Sequence, residues 1–123
     1  MKITFGAFIS EKRNARKISL RAFSSMIEIS PEYLSKIEND LRSAPKDIVL
    51  ERIATALILN TEERETLFDL AAKSKPYLSL ATDLVKYVYE NEMAYKTLRF
   101  AKRNELTNSD WQKILEHIIK THL

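Results

Sequence analysis

Apolar residues recur at helical spacing along most of the chain, and the breaks between these runs predict eight helices. Phe5, Phe8 and Ile9, with Lys12 and Arg16 in register, predict a first helix over about residues 3–17. Ser19 is a natural N-cap for a second, with Phe23, Met26 and Ile27 as its inner face. After a break near Glu28-Ile29, Ser30-Pro31 starts a third helix. The serine caps free N–H groups, and the proline occupies the first turn, where its missing N–H costs nothing. This helix runs to about Asn39 with Leu34 and Ile37 inward, and Leu41–Pro45 follows as a loop. Asp47–Leu59 reads as a fourth helix with Ile48, Leu50, Ile53, Ala54 and Leu57 inward. Thr61, with Glu62 and Glu63, caps a fifth that continues through Leu67, Phe68, Leu70 and Ala71.

Pro76 interrupts any helix continuing from Ala72, so Lys73–Pro76 is the expected linker. Ser79 then starts a sixth helix through Leu80, Leu84, Val85 and Val88, which Asn91 ends. Met93–Arg103 makes a seventh. Asn108 or Ser109 caps an eighth, on which Trp111, Ile114, Leu115 and Ile118 share a face. The expected architecture is all-α: a five-helix domain over residues 1–74 and a three-helix appendage over 77–123. One glycine and three prolines leave few positions that favour tight turns, which agrees with a helical chain. A 45% share of hydrophobic residues is enough to bury a core. The absence of cysteine excludes disulfides, thiolate metal sites and thiol nucleophiles, and is consistent with a reducing cytosol. The longest strongly apolar run, Ile53–Leu59, is too short to cross a bilayer. Glu11, Lys12 and Arg13 arrive before a signal-peptide core could form, so the expected location is cytoplasmic.

The net charge of +3 is unevenly spread. Residues 1–46 hold nine Lys/Arg against five Asp/Glu, while 47–123 hold eleven against twelve. A basic first third fits an anionic partner, although an ordinary solvated helix face would look the same by charge alone. Two short helices joined by a tight turn, the second started by Ser-Pro, form a helix-turn-helix candidate, whose second helix can enter the DNA major groove. The runs Ile18-Ser19-Leu20-Arg21-Ala22-Phe23-Ser24 and Ile29-Ser30-Pro31-Glu32-Tyr33-Leu34-Ser35-Lys36-Ile37-Glu38-Asn39 carry a more specific likeness. With Arg42-Ser43-Ala44-Pro45 and Ile53-Ala54 onward, they resemble the phage-repressor (Xre/Cro-type) helix-turn-helix regulators over about residues 5–72. That resemblance implies a lambda-repressor-like DNA-binding domain.

It also implies site residues. Ser30, Pro31, Glu32, Tyr33, Ser35 and Lys36 lie where the family reads base edges. Lys36 is suited to donate to a guanine and Glu32 to accept from a cytosine amino group. Tyr33 has two readings, a thymine-methyl contact or a half-buried ring bracing the second helix. Ser19, Arg21, Asn39, Arg42 and Lys46 fall at phosphate-contact positions, which set register without reading sequence. Arg13 and Glu38 match a family salt bridge joining the first and third helices. There are departures: Leu20 stands where the family often has Gln, and Glu28 and Asp40 stand where Gly is usual because φ > 0 suits it best.

An enzyme is not expected. His117 and His122 lie five apart, not at the i, i+4 spacing of a helical zinc pair, and a lone glycine, Gly6, cannot build a phosphate loop. Glu62-Glu63 and Glu90/Glu92 read as caps and exposed charge, and no metal or other cofactor is implied. The appendage is too small for a robust core of its own, so it is expected to dock on the first domain or a second chain. The leading expectation is a homodimeric repressor of a palindromic operator on double-stranded DNA, with 77–123 helping to dimerise. The alternative is an antitoxin whose extra segment binds a toxin partner while the DNA domain regulates its own operon.

Overall fold

The computed structural model describes residues 2–123, which form eight α-helices with no strand among them. α1 (Phe5–Ala15), α2 (Leu20–Met26), α3 (Pro31–Glu38), α4 (Asp47–Ala56) and α5 (Thr61–Lys73) come first. α6 (Thr82–Glu90), α7 (Glu92–Arg103) and α8 (Asn108–His122) follow. Short polar side chains start most of them. Thr4, Ser19 and Ser30 cap α1, α2 and α3 by accepting from the N–H groups of Ala7, Ala22 and Tyr33. Asn60, not Thr61, caps α5, and Thr107, not Asn108 or Ser109, caps α8. Each forms a reciprocal capping box, with Glu63 and Asp110. Residue type alone does not decide which of several adjacent cap-forming residues takes the extended backbone of the cap.

The chain divides into two compact units, one ending at Val85 and the other running from Lys86 to Leu123. The hydrophobic pattern places its boundary earlier, at Lys73–Pro76. Ser79 does not open a helix: α6 begins at Thr82, and the Ser79 hydroxyl donates to the carbonyl of Ala72 at 2.9 Å. Ala81 is buried in the core of the first unit.

That core takes Phe5, Phe8 and Ile9 from α1, and Phe23 and Ile27 from α2 and its end. Leu34 and Ile37 come from α3, Leu50, Ile53 and Leu57 from α4, and Leu67 and Phe68 from α5. Full burial of each large apolar side chain stabilises by roughly 1.5–3 kcal/mol. Two expected core residues point outward: Met26 is 49% exposed and Ile48 52%. Val49, next to Ile48, is buried instead: the stripe Val49, Leu50, Ile53 and Ala54 is the buried side of α4, which contacts α2 and α5.

α1 crosses α3 very closely, and Gly6 makes this possible. A Cβ at Gly6 would overlap the carbonyl oxygen of Ile37 and lie 2.7 Å from that of Glu38 and 2.8 Å from Asp40 Oδ1. The Gly6 N–H donates to Asp40 Oδ1 at 3.1 Å, and Thr4 Oγ1 donates to Asp40 Oδ2 at 2.7 Å. One carboxylate after α3 thus satisfies the N-terminal turn of α1, where negative charge is favoured.

With its one glycine used there, the chain makes its helix-ending turns with other residues. Lys17, Glu28, Asp40, Ile58 and Glu105 all have φ between 51° and 59°. Each follows a helix C-cap, and each turn carries the paired hydrogen bonds of a Schellman motif, as in Ile58 N–H to Thr55 O with Leu59 N–H to Ala54 O. Ile58 is the costliest of the five, being β-branched, and it is 69% exposed. Ile58→Gly should therefore raise the unfolding free energy by about 1 kcal/mol, measured from urea denaturation. An unchanged or lower midpoint would show that the turn carries no such strain.

Candidate nucleic-acid interface

α2, the turn Ile27–Ser30 and α3 make the helix-turn-helix unit. The turn closes through Ile29 N–H to Ser24 O at 3.0 Å, with Glu28 in the left-handed region and its carboxylate 3.3 Å from Arg52 on α4. The apolar side of α3, Leu34 and Ile37, is fully buried. Helical geometry then turns Glu32 and Lys36 outward, and both are exposed; Pro31 and Ser35 beside them are half-buried. Tyr33 is also half-buried and packs against the core, the placement of the bracing reading. Leu20 is half-buried and packs against the core as well, at the position where the family often has Gln.

What fixes α3 is an ion pair at its far end. Arg13 Nε and Nη2 donate to the two carboxylate oxygens of Glu38 at 2.8 and 2.9 Å, and Arg13 Nη1 donates to the carbonyl of Ile18 at 2.8 Å. The side chains are only 12% and 6% exposed. Hydrogen bonding to Glu38 raises the Arg13 pKa above its already high ordinary value, so the guanidinium stays charged. Further ties hold α1: Arg16 Nε donates to Leu57 O at 2.6 Å, and Lys12 pairs with Glu63 at 2.7 Å. The Lys12 ammonium and the Asn60 N–H hold the Glu63 carboxyl below its ordinary range.

Two sets of cations bear on this face. Lys12, Arg13, Arg52 and Arg64 are committed to carboxylates, Arg64 to Glu51. Arg21, Lys36, Arg42 and Lys46 are exposed, and among the described residues their side chains have no ion pair or hydrogen bond. Arg42 and Lys46 sit in the loop between α3 and α4. Ser19 and Ser30 accept cap bonds at 3.1 Å, which leaves each hydroxyl proton free to donate. Asn39 uses one amide proton on Ser35 O at 2.8 Å, ending α3, and keeps the other.

Residue patterns missed Asp40's grip on α1 and the steric role of Gly6. A glycine inside a helical run was the one available signal. His117 and His122 are exposed on α8. No group of three or more His, Asp or Glu could hold a metal among the described residues, and no helix there is long and apolar enough to cross a membrane.

Residues 9–63 match the family model described as helix-turn-helix. This stretch, from within α1 to the start of α5, is similar to helix-turn-helix domains of the Xre/Cro type. A solved structure, the complex of the SinR and SinI proteins, is similar over 96% of this chain and 97% of that one. Its TM-score is 0.50 at 19% identity, a likeness of fold. No curated protein matches the chain.

Removing one partner of a buried ion pair leaves an uncompensated charge. Glu38→Ala should therefore lower the unfolding free energy by about 3 kcal/mol in urea denaturation. A loss under about 1 kcal/mol would mean that the pair behaves as an exposed one.

Proposed function

We propose that this chain is a transcriptional repressor that binds a two-fold symmetric operator as a homodimer, with α3 in the major groove. Lys36, Arg42 and Lys46, exposed on α3 and the following loop without an ion pair among the described residues, carry this reading, while Lys12, Arg13, Arg52 and Arg64 are paired with carboxylates. Lys36 donates to a guanine edge, Glu32 accepts from a cytosine amino group, Ser30, Pro31 and Ser35 line the same contact, and Tyr33 braces α3 against the core. Ser19, Arg21, Asn39, Arg42 and Lys46 hold phosphates and set the register. Such a role places the protein in the cytoplasm.

The segment 77–123 supplies the dimer contact in this reading. Among residues 86–123 Ala101 is buried, whereas Tyr89, Met93, Tyr95, Phe100, Leu115, Ile118 and Ile119 are exposed. Apolar surface on this scale favours a protein neighbour. The same surface supports a second reading, in which a different protein covers it, as in an antitoxin bound to its toxin. A chain of similar fold was solved in the complex of the SinR and SinI proteins.

Selection of bound sites from random duplex DNA should enrich inverted half-sites about 34 Å apart, and recovery of no sequence would overturn the operator reading. On the selected site, Lys36→Ala should cost about 1–3 kcal/mol and relax preference at one base position. Arg42→Ala should weaken binding to all sequences and reduce the salt slope by about one. The pair Leu115→Lys and Ile118→Lys should shift the chain toward monomer in analytical ultracentrifugation. An unchanged dimer would move the interface off α8.

A further inference from the structure

The loop between α3 and α4 carries two of the free cations, yet it makes little of its own structure. From Arg42 to Lys46 no backbone N–H donates to another backbone carbonyl among the described residues. Its centre, Ala44, is buried, so both of its backbone polar groups need partners. Two consecutive side chains after α5 supply them. The Ala44 N–H donates to Ser74 Oγ at 2.8 Å, and Lys75 Nζ donates to the Ala44 carbonyl at 2.6 Å. Ser74 Oγ itself donates to Ala71 O at 2.7 Å, which fixes the direction of its lone pairs. Further on, Thr82 Oγ1 donates to Asp47 Oδ1 at 2.9 Å, tying the first residue of α4 to the first residue of α6. The buried Ala81 anchors this stretch in the core.

Arg42 and Lys46 lie two residues either side of Ala44. We infer that Ser74, Lys75 and Thr82 are positioning residues for DNA binding: they clamp the loop so that Arg42 and Lys46 meet the phosphates without first having to be ordered. A preorganised contact loses less conformational entropy on binding, so the clamp acts on affinity without touching DNA. All three residues lie outside the stretch 9–63 that matches the helix-turn-helix family. This inference rests on the DNA-binding reading above and adds a determinant of affinity beyond the recognition unit.

The test uses the full chain and the duplex obtained by selection. Ser74→Ala keeps every charge, yet it should weaken binding on the order of tenfold, about one hydrogen bond's worth. It should also lower the slope of log affinity against log salt, because a loosened loop delivers fewer phosphate contacts. Ser74→Thr, which restores the hydroxyl, should recover both. Hydrogen exchange at the Ala44 amide should quicken in Ser74→Ala and return in Ser74→Thr. A purely structural role would shift the melting temperature and leave the salt slope alone. If Ser74→Ala does not fold, Thr82→Val decides, since it removes an exposed hydroxyl and should weaken binding about threefold. A parent that binds and a folded Ser74→Ala that binds with the same affinity and slope would overturn the clamp alone. A parent that binds no duplex would overturn the DNA reading and this inference with it.

Discussion

The close crossing of α1 and α3 is the constraint on which the first unit depends. Gly6 lets the helices approach until a Cβ would overlap the Ile37 carbonyl oxygen. Asp40 then accepts from the Gly6 N–H and the Thr4 hydroxyl at one end of the crossing, and Arg13 grips Glu38 at the other. A helix of eight residues has little stability by itself. Its direction is set by these contacts and by the burial of Leu34 and Ile37. The outward face of Glu32 and Lys36 is therefore a consequence of how the inward face is held. The base-reading role proposed for α3 would need such rigidity, because a small rotation of α3 would move every side chain on it.

A chain with a single glycine must turn its helices with residues that dislike the left-handed region. Five non-glycine residues adopt it, each at a cost of roughly 1–2 kcal/mol. The paired backbone bonds of each turn offset part of that cost by satisfying carbonyls at the helix end. At the turn before α3, Glu28 also gains an ion pair with Arg52, so the strained residue ties the turn to α4. At Asp40 the side chain spans to α1. In both places an acidic residue gives up backbone ease and gains a long-range contact that glycine could not make.

Charge is divided in a comparable way. Lys12 and Arg13 on α1 are paired with carboxylates of other helices, whereas Lys36, Arg42 and Lys46 on α3 and the loop after it are exposed and have no ion pair among the described residues. The second unit differs in kind. Residues 86–123 bury little apolar surface of their own and leave aromatic and aliphatic side chains in solvent, a composition suited to protein contact.

Much of this was legible in the sequence because its causes are local. Helical periodicity, the Ser19 and Ser30 caps, the start of α3 at Pro31 and the inward Leu34 and Ile37 all depend on residues within a turn or two of one another. The family likeness of residues 19–39 rests on the same short-range pattern. Tertiary structure decided what depends on distant partners. Met26 and Ile48 face solvent although their spacing fits the inner faces of α2 and α4. Pro76 does not divide the chain, because Ala81 and Thr82, well beyond it, still pack on the first unit. Asp40 reaches residues 34 and 36 positions away, and Ser74 and Lys75 reach a loop about thirty positions back. A single sequence carries no local mark for such pairs, since each residue would read as an ordinary polar surface position until the fold brings its partner beside it.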